Sequence, residues 1–319
     1  MKFKQCCSDY NNRCDAEDAE ELLESIIRGF MFLAGILGNN WLAIRSLPAR
    51  KGGVHTSEVL FLNLAVSNLI TNYLVDLPDT MADFAGRWFL GETYCGIFRF
   101  CADLSETSSI YTTLFISVFW HQKLVGSLKR GGASVRMDSL RLVGCLLAGS
   151  WTVAVVFSVP HFFFVTLETG NDSHEDCVDV FPDALAQQTY EAFYLTLANA
   201  VPLAGIVFAS VQIVVSLLQN QRRIKSRNSE ADEGKSNVAM KGAENGNGGE
   251  SVRAAKSVVA VASVFLFCWL THLFLRITNN IQSSSVVVEI ASYLAASYTC
   301  IIPYIFLHGV QKLTCSCKR

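Results

Sequence analysis

Seven long apolar runs, separated by short polar segments, set the pattern of this chain. They cover roughly 25–47, 56–80, 94–120, 139–164, 189–218, 254–277 and 286–308. A helix needs about 20 mostly apolar residues to cross the hydrocarbon core of a bilayer. Backbone groups in lipid must find their hydrogen bonds within their own segment, so the runs predict helices. The expectation is an all-α membrane protein: a seven-helix bundle over 25–308, a polar N-terminal tail over 1–24 and a short tail over 309–319. An odd number of crossings puts the two termini on opposite sides.

Charge sets the orientation. Basic residues crowd the segments after spans 1, 3 and 5 and the C-terminal tail: Arg50 and Lys51; Lys123, Lys129, Arg130 and Arg136; Arg222, Arg223, Lys225 and Arg227; Lys312, Lys318 and Arg319. The alternate segments carry acids instead, among them Asp172, Glu175, Asp176, Asp179 and Asp183. The positive-inside rule then puts the N-terminus outside and the C-terminus in the cytoplasm, as a multi-pass protein of the plasma membrane. The chain of 319 residues is 51% hydrophobic, with a mean hydropathy of +0.31, which argues against a soluble domain. A net charge of −2 suggests no nucleic-acid partner. Residues 1–24 have no apolar core and hold Glu17, Asp18, Glu20, Glu21 and Glu24, so the first span is expected to act as its own insertion signal.

Two of the 11 cysteines fall where an oxidising exterior would join them: Cys95 at the outer start of span 3 and Cys177 in the second outer loop. Cys6, Cys7 and Cys14 are also outside and have no assignable pairing. Cys315 and Cys317 follow the last span beside Lys312, Lys318 and Arg319, a setting for palmitoylation or for inert thiols. Asn171-Asp172-Ser173 is a glycosylation acceptor on the outer side. The inner segment near 219–253 is polar and glycine-rich and reads as flexible. The two halves of the chain do not echo each other, which weakens a transporter reading.

An ordered set of residues runs through all the spans: Gly38-Asn39, Leu62-Asn63-Leu64-Ala65-Val66-Ser67-Asn68, Trp88 and Gly91 ahead of Cys95, Trp151 and Pro160, Pro202, Phe265 with Cys268-Trp269, and Pro303. This set resembles the rhodopsin-like G-protein-coupled receptors. The departures are informative. Phe119-Trp120-His121 stands where that superfamily has Asp-Arg-Tyr, Asn68 stands for an aspartate, Thr271 for a proline, and Ile302-Pro303-Tyr304-Ile305-Phe306 for Asn-Pro-x-x-Tyr. The span 3 run from Ser108 to Phe119 is similar to vomeronasal type 1 receptors, and Trp120-His121-Gln122-Lys123-Leu124 to the fish olfactory receptors related to class A. The resemblance implies a chemosensory receptor that binds an odorant or pheromone-like small molecule, couples to a heterotrimeric G protein, and needs no cofactor and no catalytic residues. A bitter-taste or peptide receptor of the same fold is the alternative; a transporter is a more distant one.

Ionisable residues inside spans are costly and usually functional. Arg99, Asp103 and Glu106 fall on one stripe of span 3 at i, i+4 and i+7. His272 and Arg276 share a face of span 6; Asp76 and Asp79 lie in span 2, Glu191 in span 5 and Glu289 in span 7. These groups predict a polar, ligand-binding outer cavity of both signs, with Tyr111 and Trp269 near its floor. The competing reading pairs Arg99 with Asp103, and Arg276 with Glu106 or Glu289, as structural ion pairs. Phe119, Trp120, His121, Trp269 and Pro303 are the expected switch or G-protein-facing residues. Trp120 has no guanidinium fork, so it meets a partner by packing or simply anchors at the interface. Asn68 predicts an interhelical amide hydrogen bond where a carboxylate would bind sodium. No cluster of Cys and His has metal-ligand spacing; His55, His121, His161, His174, His272 and His308 are scattered.

Overall fold

The structure is a computed structural model that describes residues 11–48, 53–85, 87–129, 135–169, 175–233, 256–271, 293 and 297–307. Asn171, His272, Arg276, Glu289, Cys315 and Cys317 lie outside these residues. Helix α1 runs from Asn11 to Ser46, and its apolar portion Ser25–Ser46 is long enough to cross a membrane. Span 2 comprises α2 (Thr56–Thr71), a wide π-type turn (Asn72–Asp76) and α3 (Leu77–Ala85). Span 3 is α4, Gly91–Lys129. Span 4 is α5 (Leu140–Ser158), closed by a 3-10 turn, Val159–Phe162. Span 5 joins α6 (Ala184–Phe193), a second π-type turn (Tyr194–Ala200) and α7 (Val201–Glu233). Helical segments Lys256–Thr271 and Ser297–Leu307 belong to spans 6 and 7.

Among the described residues, four helices are both long and apolar enough to cross a bilayer: Ser25–Ser46, Thr56–Ala82, Leu140–Phe162 and Ala184–Arg222. Span 3 has the length, but Arg99, Asp103 and Glu106 interrupt its apolar run. Both π-type turns end two residues before a proline, Asp76 before Pro78 and Ala200 before Pro202. Proline supplies no N–H and crowds the carbonyl four residues back. A turn widened to i→i+5 bonding re-pairs the neighbouring carbonyls without breaking the helix. Span 3 starts at Gly91, whose φ of +79° is open only to a residue without a Cβ, and whose carbonyl accepts from Trp88 Nε1 at 3.0 Å.

Span 3 is the hub, packed against spans 2, 4 and 5. Its buried face is a run of small polar residues, Ser105, Ser108, Ser109, Thr112, Thr113 and Ser117. Several return their hydroxyl hydrogens to the carbonyl four residues back, such as Thr112 to Ser108 at 2.6 Å and Ser117 to Thr113 at 2.8 Å. Others bridge to span 2, including Ser67–Ser108 at 2.7 Å and Thr71 to Ser105 at 2.9 Å. Small side chains let helix backbones approach where lipid provides no hydrophobic drive between them. Spans 1 and 7 meet the same way: a Cβ on Gly38 would come within 2.8 Å of Pro303 Cγ. Toward the end opposite the loop hairpin, an apolar core gathers Phe61, Ile116, Phe119, Trp120, Leu124, Ile213 and Phe306.

The 4–5 connection forms an antiparallel hairpin, β1 (Val165–Thr169) with β2 (Glu175–Asp179), in register Val165↔Asp179 through Thr169↔Glu175. Cys177 is disulfide-bonded to Cys95 on span 3, with Cα atoms 5.6 Å apart.

Candidate functional site at the hairpin end

The hairpin brings span 3, the end of span 4 and the start of span 5 into one polar cluster. Pro160 ends the regular bonding of span 4, and the tight turn that follows carries His161 inward, where it is 4% exposed. His161 Nδ1 lies 2.8 Å from Asp179 Oδ1 of β2, and Nε2 lies 2.9 Å from Asp103 Oδ2 of span 3. Tyr190 enters from span 5, whose helix Asp183 caps by accepting from Ala186 N at 2.7 Å. The Tyr190 hydroxyl lies 2.9 Å from Asp103 Oδ2, 2.8 Å from the Phe157 carbonyl and 3.1 Å from His161 Nε2. Arg99 donates to the Cys177 carbonyl at 2.7 Å and approaches Asp179 Oδ2 at 3.8 Å. Aromatic rings wall the cluster: Phe181 packs on Tyr190 at 5.2 Å, and Tyr194 stacks on Tyr190 at 6.1 Å.

The Arg99–Asp103 pair of the competing reading does not form. The hairpin places Asp179 over Arg99, and the turn at Pro160 delivers His161 to Asp103, so each residue meets a partner from another element. Glu106 sits one turn deeper on span 3, half-buried. Glu191 stays apart and accepts from Gln187 at 3.1 Å; its neighbour Tyr190, about 100° around the helix, takes the inward position. Asp79 pairs with Arg28 of span 1 at 3.2 Å, and Asp76 accepts from Asn72 at 2.8 Å. His161, Asp179, Tyr190 and Arg28 were not among the site candidates. For His161 a signal existed: it is an ionisable residue in an apolar run, directly after a proline. Asp179 and Tyr190 gave none, because nothing in one sequence places a loop strand against a helix.

Deeper in the bundle, Asn68 donates to Asn39 Oδ1 at 3.0 Å and accepts from Ser109 at 3.1 Å, the interhelical amide bond expected of it. Asn39 donates in turn to the Gly35 and Thr299 carbonyls, each at 2.9 Å. Trp151 donates to Asn63 at 2.9 Å, and Asn63 to Thr112 at 2.7 Å. Tyr111 donates to the Leu197 carbonyl in the π-type turn at 2.8 Å. Trp269 is buried and stacks on Tyr298, with ring centroids 6.2 Å apart.

Toward the other end of span 3, Phe119 and Trp120 pack edge-to-face at 5.3 Å, with Lys123 Nζ 5.1 and 5.5 Å from their ring centroids. Trp120 is 6% exposed and belongs to the core, which corrects the interfacial-anchor reading for it. His121 is half-buried beside it. Pro303 packs on Gly38, and Tyr304 donates to the Ala34 carbonyl at 2.9 Å.

Residues 39–307 match the family described as 7 transmembrane receptor (rhodopsin family). The chain is similar to the galanin receptor type 1 of Rattus norvegicus, 24% identical over 79% of this chain and 67% of that protein. It is similar to the B2 bradykinin receptor of Cavia porcellus, 24% identical over 93% of this chain and 77% of that one. The tachykinin-like peptides receptor 86C of Drosophila melanogaster is 23% identical over 80% of this chain, which spans about half (48%) of that relative's length. The crystal structure of squid rhodopsin shares the fold, with a TM-score of 0.73 at 17% identity, covering 99% of this chain and 81% of that one. The chain belongs to the rhodopsin family of seven-transmembrane receptors, and is a multi-pass plasma-membrane receptor, not an enzyme.

Proposed function

We propose that this receptor binds a short basic peptide at its hairpin end and passes the signal to a heterotrimeric G protein at the other end. The hairpin and N-terminus face outward and the C-terminal tail lies in the cytoplasm, as the distribution of basic residues favours. The hairpin carries the peptide reading. Residues 168–183 hold Glu168, Asp172, Glu175, Asp176, Asp179 and Asp183, and no Lys or Arg occurs between Arg141 and Arg222. The register sets the acidic residues Glu168 and Asp176 on one rung. A two-stranded sheet also leaves each strand one edge for an extended peptide to join. The names of the galanin, bradykinin and tachykinin-like relatives support a peptide ligand. At the cytoplasmic end, Lys123 supplies positive charge for the G protein, held over the buried Phe119 and Trp120 rings, in place of a free arginine.

The test is G-protein activation by short basic peptides in cells expressing the full chain. Glu168→Gln combined with Asp176→Asn should lower potency, by up to about fivefold per exposed charge pair. Equal potency at normal surface level would reject the hairpin as the contact.

A second reading, a chemosensory receptor for an odorant or pheromone-like small molecule, rests only on the resemblance drawn from the sequence between Ser108–Phe119 and Trp120–Leu124 and the vomeronasal type 1 and fish olfactory receptors. In that case the ligand meets Arg99, Asp103 and Glu106 within the bundle. Small organic acids, amines or steroids would then activate the receptor, and the hairpin substitutions would leave their potency unchanged.

A further inference from the structure

We propose that Asn40 and Tyr73 form a docking point for a second copy of this receptor, on the outside of the bundle where spans 1 and 2 meet. Both side chains face outward. Tyr73 is 44% exposed and Asn40 is half-buried beside it, flanked by exposed Leu37, Trp41 and Ile44 of span 1 and Leu74 of span 2. Asn39 and Asn72, one residue back on each helix, are buried in the bundle and bond each other at 3.4 Å. In a membrane-spanning bundle the outward face meets hydrocarbon, which offers no hydrogen bond.

The pair has one donor and one acceptor to spare. Asn40 Nδ2 donates to the Ile36 carbonyl at 2.9 Å and to the Tyr73 hydroxyl oxygen at 3.4 Å. The first bond fixes which way the amide faces, so Oδ1 lies on its other side. The second uses the hydroxyl as an acceptor, so its own hydrogen is left over. Among the described residues, no acceptor meets the Tyr73 O–H and no donor meets Asn40 Oδ1. Other polar side chains on the outside of the bundle are provided for. Thr152 and Ser263 return their hydrogens to the carbonyl four residues back, at 2.9 and 2.8 Å. Tyr304 donates to the Ala34 carbonyl of span 1 at 2.9 Å. Tyr73 carries its hydroxyl at the tip of a rigid ring, out of reach of its own backbone carbonyls.

Depth selects the occupant. Asn40 lies about 7 Å along the axis from the middle of Ser25–Ser46, and Tyr73 about 6 Å from the middle of Thr56–Ala82. The hydrocarbon core reaches about 15 Å to either side of its midplane, so lipid headgroups and sterol hydroxyls sit well away from the pair. A helix of another protein can bring a polar group to that depth. A second copy brings matching ones. Two copies inserted the same way round are related by a two-fold axis along the membrane normal, which sets the pairs of both at one height. The Tyr73 O–H of each copy then donates to Asn40 Oδ1 of the other, and every spare group is used. The proposal does not depend on the ligand class.

The test is Förster transfer between donor- and acceptor-labelled copies of the full-length receptor, reconstituted together in liposomes over a range of protein-to-lipid ratios. Wild type should show transfer above the level of random encounters, falling on dilution as a dimer's does. Tyr73→Phe removes one hydrogen and keeps the ring; Asn40→Leu removes the acceptor. Each should weaken association by about tenfold, the scale of two interhelical hydrogen bonds. Leu37→Cys leaves the polar pair intact and should cross-link two copies above the wild-type background on mild oxidation. Val156→Cys, equally outward on span 4, should not. Wild-type transfer no greater than random encounters would overturn the proposal. So would equal association in wild type and both variants, or cross-linking at position 156 with none at 37. Capture of Tyr73 by a photoactivatable sterol, in a wild type that shows no dimer, would give the site to lipid and overturn it too.

Discussion

Asn68 shows how far one residue's chemistry reaches. Its amide fits because it donates to Asn39 while accepting from Ser109, and Asn39 cannot turn over without giving up the Gly35 and Thr299 carbonyls. Asn68→Asp removes the donor and sets a carboxylate against Asn39 Oδ1. It should cost about 1–3 kcal/mol, read as a lower thermal unfolding temperature of the purified receptor. An unchanged temperature would mean that the asparagine network rearranges freely. Trp120 makes a different case: buried beside Phe119, it should lose about 3–5 kcal/mol on substitution by alanine, seen as reduced surface expression, while Trp120→Phe keeps most of the packing. The sequence made Asn68 readable, because an amide within an apolar run must find a partner. It left Trp120 open between meeting a partner by packing and anchoring at the interface, and missed its place in the core, which only the packing of neighbouring spans decides.

Elements were legible where they depend on local pattern. Apolar run length marks the helices of spans 1, 2, 4 and 5, because lipid imposes a length and forbids open backbone. The π-type turns before Pro78 and Pro202 were not read, since a proline announces a disturbance but not how the carbonyls around it re-pair. The hairpin was read only as a loop. Its strands are five residues each, and one of them is tied to span 3 by the Cys95–Cys177 bond, a long-range contact that no periodicity encodes. That bond closes a separation of 82 residues. Cys177→Ser should therefore cost about 2–5 kcal/mol and lower surface expression, measured by antibody labelling of intact cells. Full expression with an intact ligand response would show that the noncovalent contacts, Arg99 to the Cys177 carbonyl and His161 to Asp179, hold the strand without the disulfide.

At the scale of the molecule, two polar ends are joined through a core of small hydroxyls and asparagines. Stacking of Trp269 on Tyr298 couples span 6 to span 7, and Gly38 against Pro303 locks span 1 to span 7. The family was legible because scattered residues in spans 1 to 7 occur in the right order, and residues 39–307 match it as a whole. The ligand class was not, because a contact surface made by loop, strand and helix is assembled only on folding. The central claim is that a basic peptide at the hairpin drives a G protein. The most direct measurement is guanine-nucleotide exchange on a heterotrimeric G protein by the full-length receptor in lipid nanodiscs, titrated with short basic peptides and, separately, with small organic acids, amines and steroids. Saturable exchange with a basic peptide, weakened several-fold by Glu168→Gln with Asp176→Asn, is the predicted result. Exchange driven only by a small molecule, with the hairpin substitutions without effect, would contradict it.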